Sequence, residues 1–218
     1  MRSKFDQQLA ALNQELTEMG ATCAQAIGLA AQALEQQDVA LAAPVGQLEE
    51  QTNEQERTIE ALCLKLLLQQ QPVARDLRQI SAALKMITDM ERIGDQAEDI
   101  AEIVAFLDGR QAENDALLKE MAKAVIQMVT ESVDAYVKCD IMLAKKVIAA
   151  DDVVDEQFAR VKQSLIGKIA ADPADGEYAL DLLMIAKYYE RIGDHATNIA
   201  EWVIYSVTGT HKDEITLT

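Results

Sequence analysis

The sequence is poor in glycine, proline and aromatic residues. Only 9 glycines and 3 prolines occur in 218 residues, so the chain lacks the turn chemistry that many short strands need. Aromatic residues make up 4% while hydrophobic residues make up 50%. The apolar positions are mostly Ala, Leu, Ile, Val and Met, which favour helix as a group. These shortages argue against a β-sandwich or a β-barrel and predict an all-α protein.

Positive charge is also scarce, since 20 Lys and Arg face 37 Asp and Glu, for a formal net charge of −17. Phosphate backbones and anionic lipid surfaces attract proteins mainly through Lys and Arg, so we expect no nucleic-acid partner. No apolar stretch approaches the roughly 18 residues that span a bilayer, and no signal-like run follows the first residues. We therefore expect a cytoplasmic protein without direct membrane insertion, whose membrane association, if any, runs through a protein partner.

The three cysteines, Cys23, Cys63 and Cys139, are odd in number and lie far apart. None forms a C-x-x-C pair of the kind that binds metal or carries out redox chemistry. This spacing predicts a reducing compartment and buried, unreactive thiols.

An internal repeat organises the chain. Residues 91–104 match residues 190–203 at 10 of 14 positions, and both segments begin with the letters ERIGD. A weaker match, at an offset of 102, relates residues 38–55 to residues 140–157. The second half is therefore a duplicate of the first, and we predict two domains, 1–109 and 110–218.

Apolar residues recur three and four positions apart within each half, which is the pattern of amphipathic helices. We predict three long helices per half, spanning about 3–37, 39–70, 73–107, 112–138, 141–171 and 175–208. Helices of about 30 residues with short connections pack by default as antiparallel three-helix bundles. The fold class is thus two tandem, pseudo-repeated three-helix bundles, which the short link near residues 108–111 should hold against each other.

Local signals mark the ends of these helices. Pro44 falls inside the second helix and predicts a later start or a kink there. The other signals are two N-caps, two prolines in the first turns of helices and two C-terminal glycines: Asp38 and Asp140, Pro72 and Pro173, and Gly109 and Gly209.

Four times in the chain an acid is followed, four residues later, by Asp or Asn. The pairs are Glu49 with Asn53, Glu91 with Asp95, Asp151 with Asp155, and Glu190 with Asp194. This spacing stacks both side chains on one face of a helix. In an antiparallel helix pair, residues at the same level are equidistant from the turn. The pairs centre on 51 and 93, with midpoint 72, and on 153 and 192, with midpoint 172.5, which are the turns inferred from the prolines.

Two clusters of oxygen-bearing side chains are therefore predicted, one in each half. Close carboxylates raise one another's pKa, so a cation should neutralise them. Oxygen-rich sites suit Mg²⁺, Ca²⁺, Mn²⁺ or carboxylate-bound iron, and Zn²⁺ also stays open. Gly94 and Gly193 precede the second acid and would permit close helix approach, whereas Arg92 and Arg191 could supply local counter-charge instead. His195 points about 100° away from Asp194 around the helix, which argues against ligation.

The segment Leu183–Glu201, with the letters LMIAKYYERIGDHATNIAE, resembles the second-repeat signature of the PhoU family of bacterial phosphate-uptake regulators. In the first half, Gln71–Arg78 followed by Glu91 to Asp95 is similar to the first repeat, so the resemblance covers nearly the whole chain.

The resemblance implies paired three-helix bundles, usually dimeric, that bind metal clusters and do not turn over a substrate. It also implies negative control of phosphate uptake and of the phosphate-starvation response. The implied partners are the ATPase subunit of the phosphate ABC transporter and the phosphate-sensing histidine kinase. The family's metal motif falls on Glu91 and Asp95, Asp151 and Asp155, and Glu190 and Asp194. The fourth copy departs from the motif because Asn53 accompanies Glu49, so the first-half site should bind metal more weakly.

Two other functions stay open from the residues alone. The carboxylates could form a di-iron or two-metal enzyme centre, although the chain has only 2 histidines and no Glu-x-x-His pair. Alternatively, the protein could be a purely structural helical scaffold whose acidic faces bind nothing.

Overall fold

The computed structural model describes residues 2–70, 72–107 and 115–210, and helices make up almost all of these ranges. Six long helices and one four-residue helix are present there, which confirms the all-α prediction. Their bounds are α1 (Arg2–Gln36), α2 (Val39–Ala42), α3 (Val45–Gln70), α4 (Ala74–Phe106), α5 (Asp115–Lys138), α6 (Ile141–Ala171) and α7 (Gly176–Thr208). A short 3₁₀ helix, Pro173–Asp175, leads into α7.

The long helices form two three-helix bundles. In the first half α1, α3 and α4 pack against one another, and in the second half α5, α6 and α7 do the same. The halves meet where α4 packs on α7 and α1 packs on α5, and the buried side chains of both halves form one continuous core. The predicted domain boundary at 109 and 110 lies outside the described residues and stays a prediction.

Polar contacts between α4 and α7 show how the two halves are related. Asp89 Oδ1 lies 2.9 Å from His195 Nδ1 and accepts a hydrogen bond of 3.1 Å from Asn198 Nδ2. Asp99 in turn accepts a hydrogen bond from the Tyr188 hydroxyl. Under the repeat offset of 99, Asp89 corresponds to Tyr188 and Asp99 to Asn198. The two contacts are therefore counterparts, and α4 and α7 run antiparallel about a pseudo-twofold axis.

Aspartate caps begin the second helix of each half, as the sequence predicts. Asp38 Oδ1 accepts a 2.9 Å hydrogen bond from the Ala40 N–H. Asp140 Oδ1 accepts hydrogen bonds of 2.9 and 3.0 Å from the N–H groups of Met142 and Leu143. Because the first N–H groups of a helix have no partner within it, these carboxylates hold the starts of α2 and α6 in place.

Replacing Asp140 with Ala is expected to lower the free energy of unfolding by about 1–2 kcal/mol, since two helix N–H groups lose their acceptor. The thermal midpoint, followed by circular dichroism, should fall by roughly 3–6 °C for a chain of this size. Asp140→Asn keeps the acceptor oxygen and should stay close to wild type. An Ala variant as stable as the wild type would contradict the capping role.

Pro44 and Gly209 act as the sequence predicts, whereas Pro72 lies just before Val73, the N-cap of α4, and Pro173 begins the 3₁₀ helix that precedes α7. Pro44 has no N–H to continue the helical ladder, so the chain breaks after α2 and resumes as α3 at Val45. Gly209 ends α7 with a φ of 78° and donates its N–H to the Tyr205 carbonyl at 2.8 Å. Gly109 lies outside the described residues.

Of the three cysteines, all free, Cys23 and Cys63 are buried and Cys139 is half-buried. Burial raises the pKa of the Cys23 and Cys63 thiols to about 12, which leaves both protonated at neutral pH. Among the described residues, no helix is both long enough and apolar enough to cross a bilayer.

Candidate functional site

Helices α6 and α7 bring the four predicted acids of the second half together. Asp151 and Asp155 lie on α6, and Glu190 and Asp194 lie on α7; these four residues are called the second-half cluster. Desolvation, followed by the charges of Asp194, Asp155 and Glu190, raises the pKa of Asp151 to about 6. Desolvation and then Glu190 also raise the pKa of Asp194. The four carboxylates thus repel one another across the helix pair.

A glycine lets α6 and α7 approach closely at this cluster. A Cβ atom placed on Gly193 would lie 3.1 Å from Asp151 Oδ1 and 3.6 Å from Val154 Cγ1. In the first half a Cβ on Gly94 would lie 3.4 Å from the Thr52 side chain of α3. Both helix pairs therefore cross at the glycine that precedes the second acid of the motif.

The ammonium group of Lys187 offsets part of the charge in the second-half cluster. Lys187 forms an ion pair with Glu190, which lies one turn further along α7. The positive charge of Lys187 also counteracts part of the rise in the pKa of Asp194. The sequence suggested Arg191 as a source of this counter-charge, but the charge of Arg191 lowers the pKa of Asp99 instead. One cation among four carboxylates leaves a local excess of negative charge.

The first-half cluster consists of Glu49 and Asn53 on α3 with Glu91 and Asp95 on α4. Asn53 Nδ2 donates a 2.5 Å hydrogen bond to Glu49 Oε1, so the amide acts here as a donor to the acid beside it. Arg92 lies 3.5 Å from both Glu91 Oε2 and Asp95 Oδ2. Asn53 and Arg92 therefore compensate the negative charge of this cluster from within the protein.

Two further acids, Glu56 and Glu98, border the first-half cluster. Helical spacing predicts that Glu98 continues the acidic face of Glu91 and Asp95 as a solvated residue, and sequence reasoning missed Glu56. Desolvation and Asp95 chiefly raise the pKa of Glu91, and the charges of Glu56 and Glu49 add to this effect. Desolvation and then Glu49 raise the pKa of Glu98. The repeat comparison hides both acids, because Phe158 and Thr197 occupy the corresponding positions of the second half. Helical spacing was the available signal, since Glu56 follows Asn53 by three residues.

Although the acids of each cluster face one another, the side chains of the described residues do not form a metal-coordination shell. Within residues 2–70, 72–107 and 115–210, no three His, Cys, Asp or Glu side chains are arranged to hold a metal ion. His195 is engaged by Asp89 of α4, in line with the expectation that it points away from Asp194. The metal role of the eight motif residues stays a prediction.

Comparison with known proteins adds an independent line of evidence. The family model of the PhoU domain matches residues 16–104 and again residues 118–203. A Clostridium acetobutylicum protein named phosphate-specific transport system accessory protein PhoU homolog is 35% identical, covering 97% of this chain and 98% of its own length. A Pseudomonas aeruginosa protein of the same name is 34% identical, covering 99% of this chain and 90% of its own length.

Solved structures agree with these matches. The crystal structure of PhoU from Pseudomonas aeruginosa has a TM-score of 0.90 at 34% identity, covering 94% of this chain and 100% of that one. The phosphate transport system regulatory protein PhoU from Streptococcus pneumoniae has a TM-score of 0.87 at 26% identity, with coverages of 94% and 98%. The duplicated signature, the paired three-helix bundles and these similarities together show that the chain belongs to the PhoU family.

Proposed function

We propose that this protein is an accessory regulator of the phosphate-specific transport system, which represses phosphate uptake and the phosphate-starvation response. The names of its relatives describe accessory and regulatory proteins of phosphate transport. The observation that carries the mechanism is the second-half cluster, where desolvation by burial and then the charges of three facing carboxylates raise the pKa of Asp151 to about 6. We propose no catalytic turnover at this site.

In this proposal the second-half cluster binds a metal ion. Carboxylate oxygens suit hard cations, and four acids with one ammonium group carry charge that a cation would neutralise. Asp151 and Asp155 from α6 and Glu190 and Asp194 from α7 would hold it. When bound, the ion would supply positive charge that fixes α6 against α7, and Lys187 would be released from Glu190. Iron, Mg²⁺, Mn²⁺, Ca²⁺ and Zn²⁺ are the candidates.

The first-half cluster should bind metal more weakly. Asn53 offers one neutral oxygen where the second half has Asp155, and its amide already donates to Glu49. Arg92 also pairs with both acids of α4, so an incoming cation must displace a guanidinium group. The two halves would thus fill in sequence as metal concentration rises.

The regulatory step is proposed to work by contact with other proteins, because the bundles offer long, charged helix faces. The partners would be the ATPase subunit of the phosphate ABC transporter and the phosphate-sensing histidine kinase. The metal-filled clusters would organise the faces that these partners meet.

Deleting the gene and measuring alkaline phosphatase activity in high phosphate tests this function. We expect constitutively high activity in the deletion strain, since the repressing contact is lost, and restored low activity with the wild-type gene. An Asp155→Ala, Asp194→Ala gene should fail to restore repression if the metal is required. Asp152→Asn, a neighbouring exposed change, serves as the control that restores it. A deletion strain that keeps low activity would contradict the regulator role.

A further inference from the structure

Exposed apolar side chains concentrate at the hairpin between α3 and α4. Residues 61–85, here called tip 1, expose Leu64, Leu68, Val73 and Leu77, and Leu68 is 83% exposed. Each of the four lies within eight residues of Pro72, and therefore within about 12 Å of the turn along the helices. A concentration of exposed apolar side chains marks an interaction surface more often than scattered single residues do.

Tip 1 is basic in an otherwise acidic protein. It contains Lys65, Arg75, Arg78 and Lys85 with one acid, Asp76, which makes +3 in a chain of net charge −17. The corresponding hairpin of the second half, residues 163–184, contains four acids and one base, which makes −3, although it also exposes three large apolar side chains. The positive charge is therefore particular to tip 1 and is not a property of the repeated hairpin.

The four cations of tip 1 have no acidic partner within the described part of the chain. None of them forms an ion pair there, whereas several lysines outside the tip do: Lys119, Lys138, Lys146 and Lys187. Arg78 is also held in position, because its side chain lies 3.5 Å from the Cβ position of Gly209. The buried Nε of Arg78 donates no hydrogen bond within the same residues. Cations without internal compensation are available to carboxylates of another molecule.

We propose that tip 1 is the docking surface for an acidic, amphipathic helix of another protein. The apolar side of that helix covers the exposed leucines and Val73, and carboxylates flanking it meet the surrounding cations. Apolar positions at i, i+3, i+4 and i+7 of a helix extend over about 10 Å, which matches the size of the tip. The proposal rests on the proposed function only where it identifies the docked protein as a regulatory partner.

A protein helix fits this surface better than an anionic membrane does. Outside tip 1 the remaining residues carry a net charge of −20. A flat bilayer would meet many of these acids together with the tip. A helix lying on the tip stays within roughly 8 Å of its cations, the distance over which charges interact at physiological salt. Complementary charge also excludes basic helices from the same apolar surface.

Titration calorimetry of the full chain with a synthetic peptide tests this recognition. The probe is a helical peptide of about 18 residues, with leucines at i, i+3, i+4 and i+7 and glutamates on both sides of them. In chelator at about 50 mM salt we expect saturable binding, at least about tenfold tighter than that of the same peptide with lysines in place of the glutamates.

Two double variants remove the charge or the apolar surface of tip 1. Lys65→Glu with Arg75→Glu, and Leu68→Ser with Leu77→Ser, should each weaken binding of the acidic peptide by at least about tenfold. All four positions are exposed, so the fold should be kept. The control is Lys123→Glu with Arg160→Glu, which makes the same change in net charge at exposed positions of the second half and should keep wild-type affinity.

Repression in the cell tests whether the surface is used. In the deletion strain the wild-type gene and the control variant should restore low alkaline phosphatase activity, whereas both tip variants should leave it high. The peptide measurement needs no regulatory activity, so it still decides recognition at tip 1 if the deletion strain contradicts the regulator role.

Other occupants of tip 1 would give different results. Binding to vesicles of about 30% anionic lipid through the tip cations would assign the surface to lipid. Tip variants that change the sedimenting mass would assign it to a second copy, and tighter peptide binding after removal of residues 211–218 would assign it to the chain's own C-terminal segment. Any of these results would overturn the proposal, as would absent peptide binding, equal affinity for the acidic and basic peptides, or full repression by the tip variants.

Discussion

Replacing Asp151 with Asn is expected to stabilise the metal-free protein and to weaken its binding of metal. In chelator at pH 8 the charge of Asp151 is held in a partly desolvated site and against three facing carboxylates, and the neutral amide removes both costs. The pKa difference would correspond to about 3 kcal/mol without screening. Because the side chain is only half-buried, solvent screening reduces the expected gain to about 1 kcal/mol, or roughly 2–4 °C in the thermal midpoint.

The pH dependence of this gain has a defined sign. The folded-state pKa of Asp151 is raised from 3.8 to about 6, so the folded protein holds a proton that the unfolded chain has lost between these values. Wild-type stability therefore falls as pH rises through this window, and no such loss occurs in Asp151→Asn. The difference between variant and wild type should be near zero at pH 4 and complete above pH 7.

Metal affinity should move in the opposite direction. Losing one charged ligand is expected to weaken binding by about 10- to 100-fold, as judged by titration calorimetry and by the metal retained after purification without chelator. Asp152→Asn removes the same charge from an exposed neighbour, whose charge is the smallest of those that raise the pKa of Asp151, and should change both properties much less. If Asp151→Asn binds metal as tightly as the wild type, the second-half cluster is not the binding site.

Replacing Gly193 with Leu is expected to destabilise the protein by about 2 kcal/mol. The new side chain would enter the space where Asp151 Oδ1 and Val154 Cγ1 lie 3.1 and 3.6 Å from the Cβ position, forcing α6 away from α7. Overpacking of this kind costs about 1–3 kcal/mol, and a four-carbon side chain falls toward the upper end. The gain in helix propensity, nearly 1 kcal/mol, offsets part of the cost.

Gly167→Ala is the matched control for this change. Nothing lies within 4 Å of the Cβ position of Gly167, so only the helix propensity changes and stability should rise by about 0.5–1 kcal/mol. Urea unfolding of both variants measures the difference. A Gly193→Leu protein as stable as the wild type would show that the helices need no glycine at their crossing.

Much of the fold could be predicted because helices and their ends depend on short stretches of chain. The apolar period, the aspartate caps at 38 and 140 and the break at Pro44 act within one or two helical turns. The observed bounds of the long helices therefore differ from the predicted ones by at most three residues, except that α3 starts at Val45 rather than at 39, after the break at Pro44. The repeated acidic pairs also predicted a contact between helices. Their midpoints at the turns indicated that Asp151 and Asp155 would face Glu190 and Asp194.

The partners of individual side chains could not be predicted in the same way. His195 pairs with Asp89, 106 positions earlier, and no local pattern relates these two residues. Lys187 rather than Arg191 forms the ion pair with Glu190, because side-chain rotamers and packing decide which of two nearby cations reaches the carboxylate. Glu56 borders the first-half cluster, but the corresponding residue of the second half is Phe158. Comparison of the two halves therefore did not identify Glu56 as a site residue.

The sequence by itself thus determined the six long helices, their caps, the twofold duplication and the level at which the carboxylates lie. These features follow from helical geometry and from equal distances to a turn. The tertiary structure alone decided that α4 and α7 pack antiparallel about a pseudo-twofold axis, which brings Asp89 of the first half to His195 of the second. That choice depends on how whole apolar faces fit together across the chain, and this long-range packing has no short signature in the order of residues.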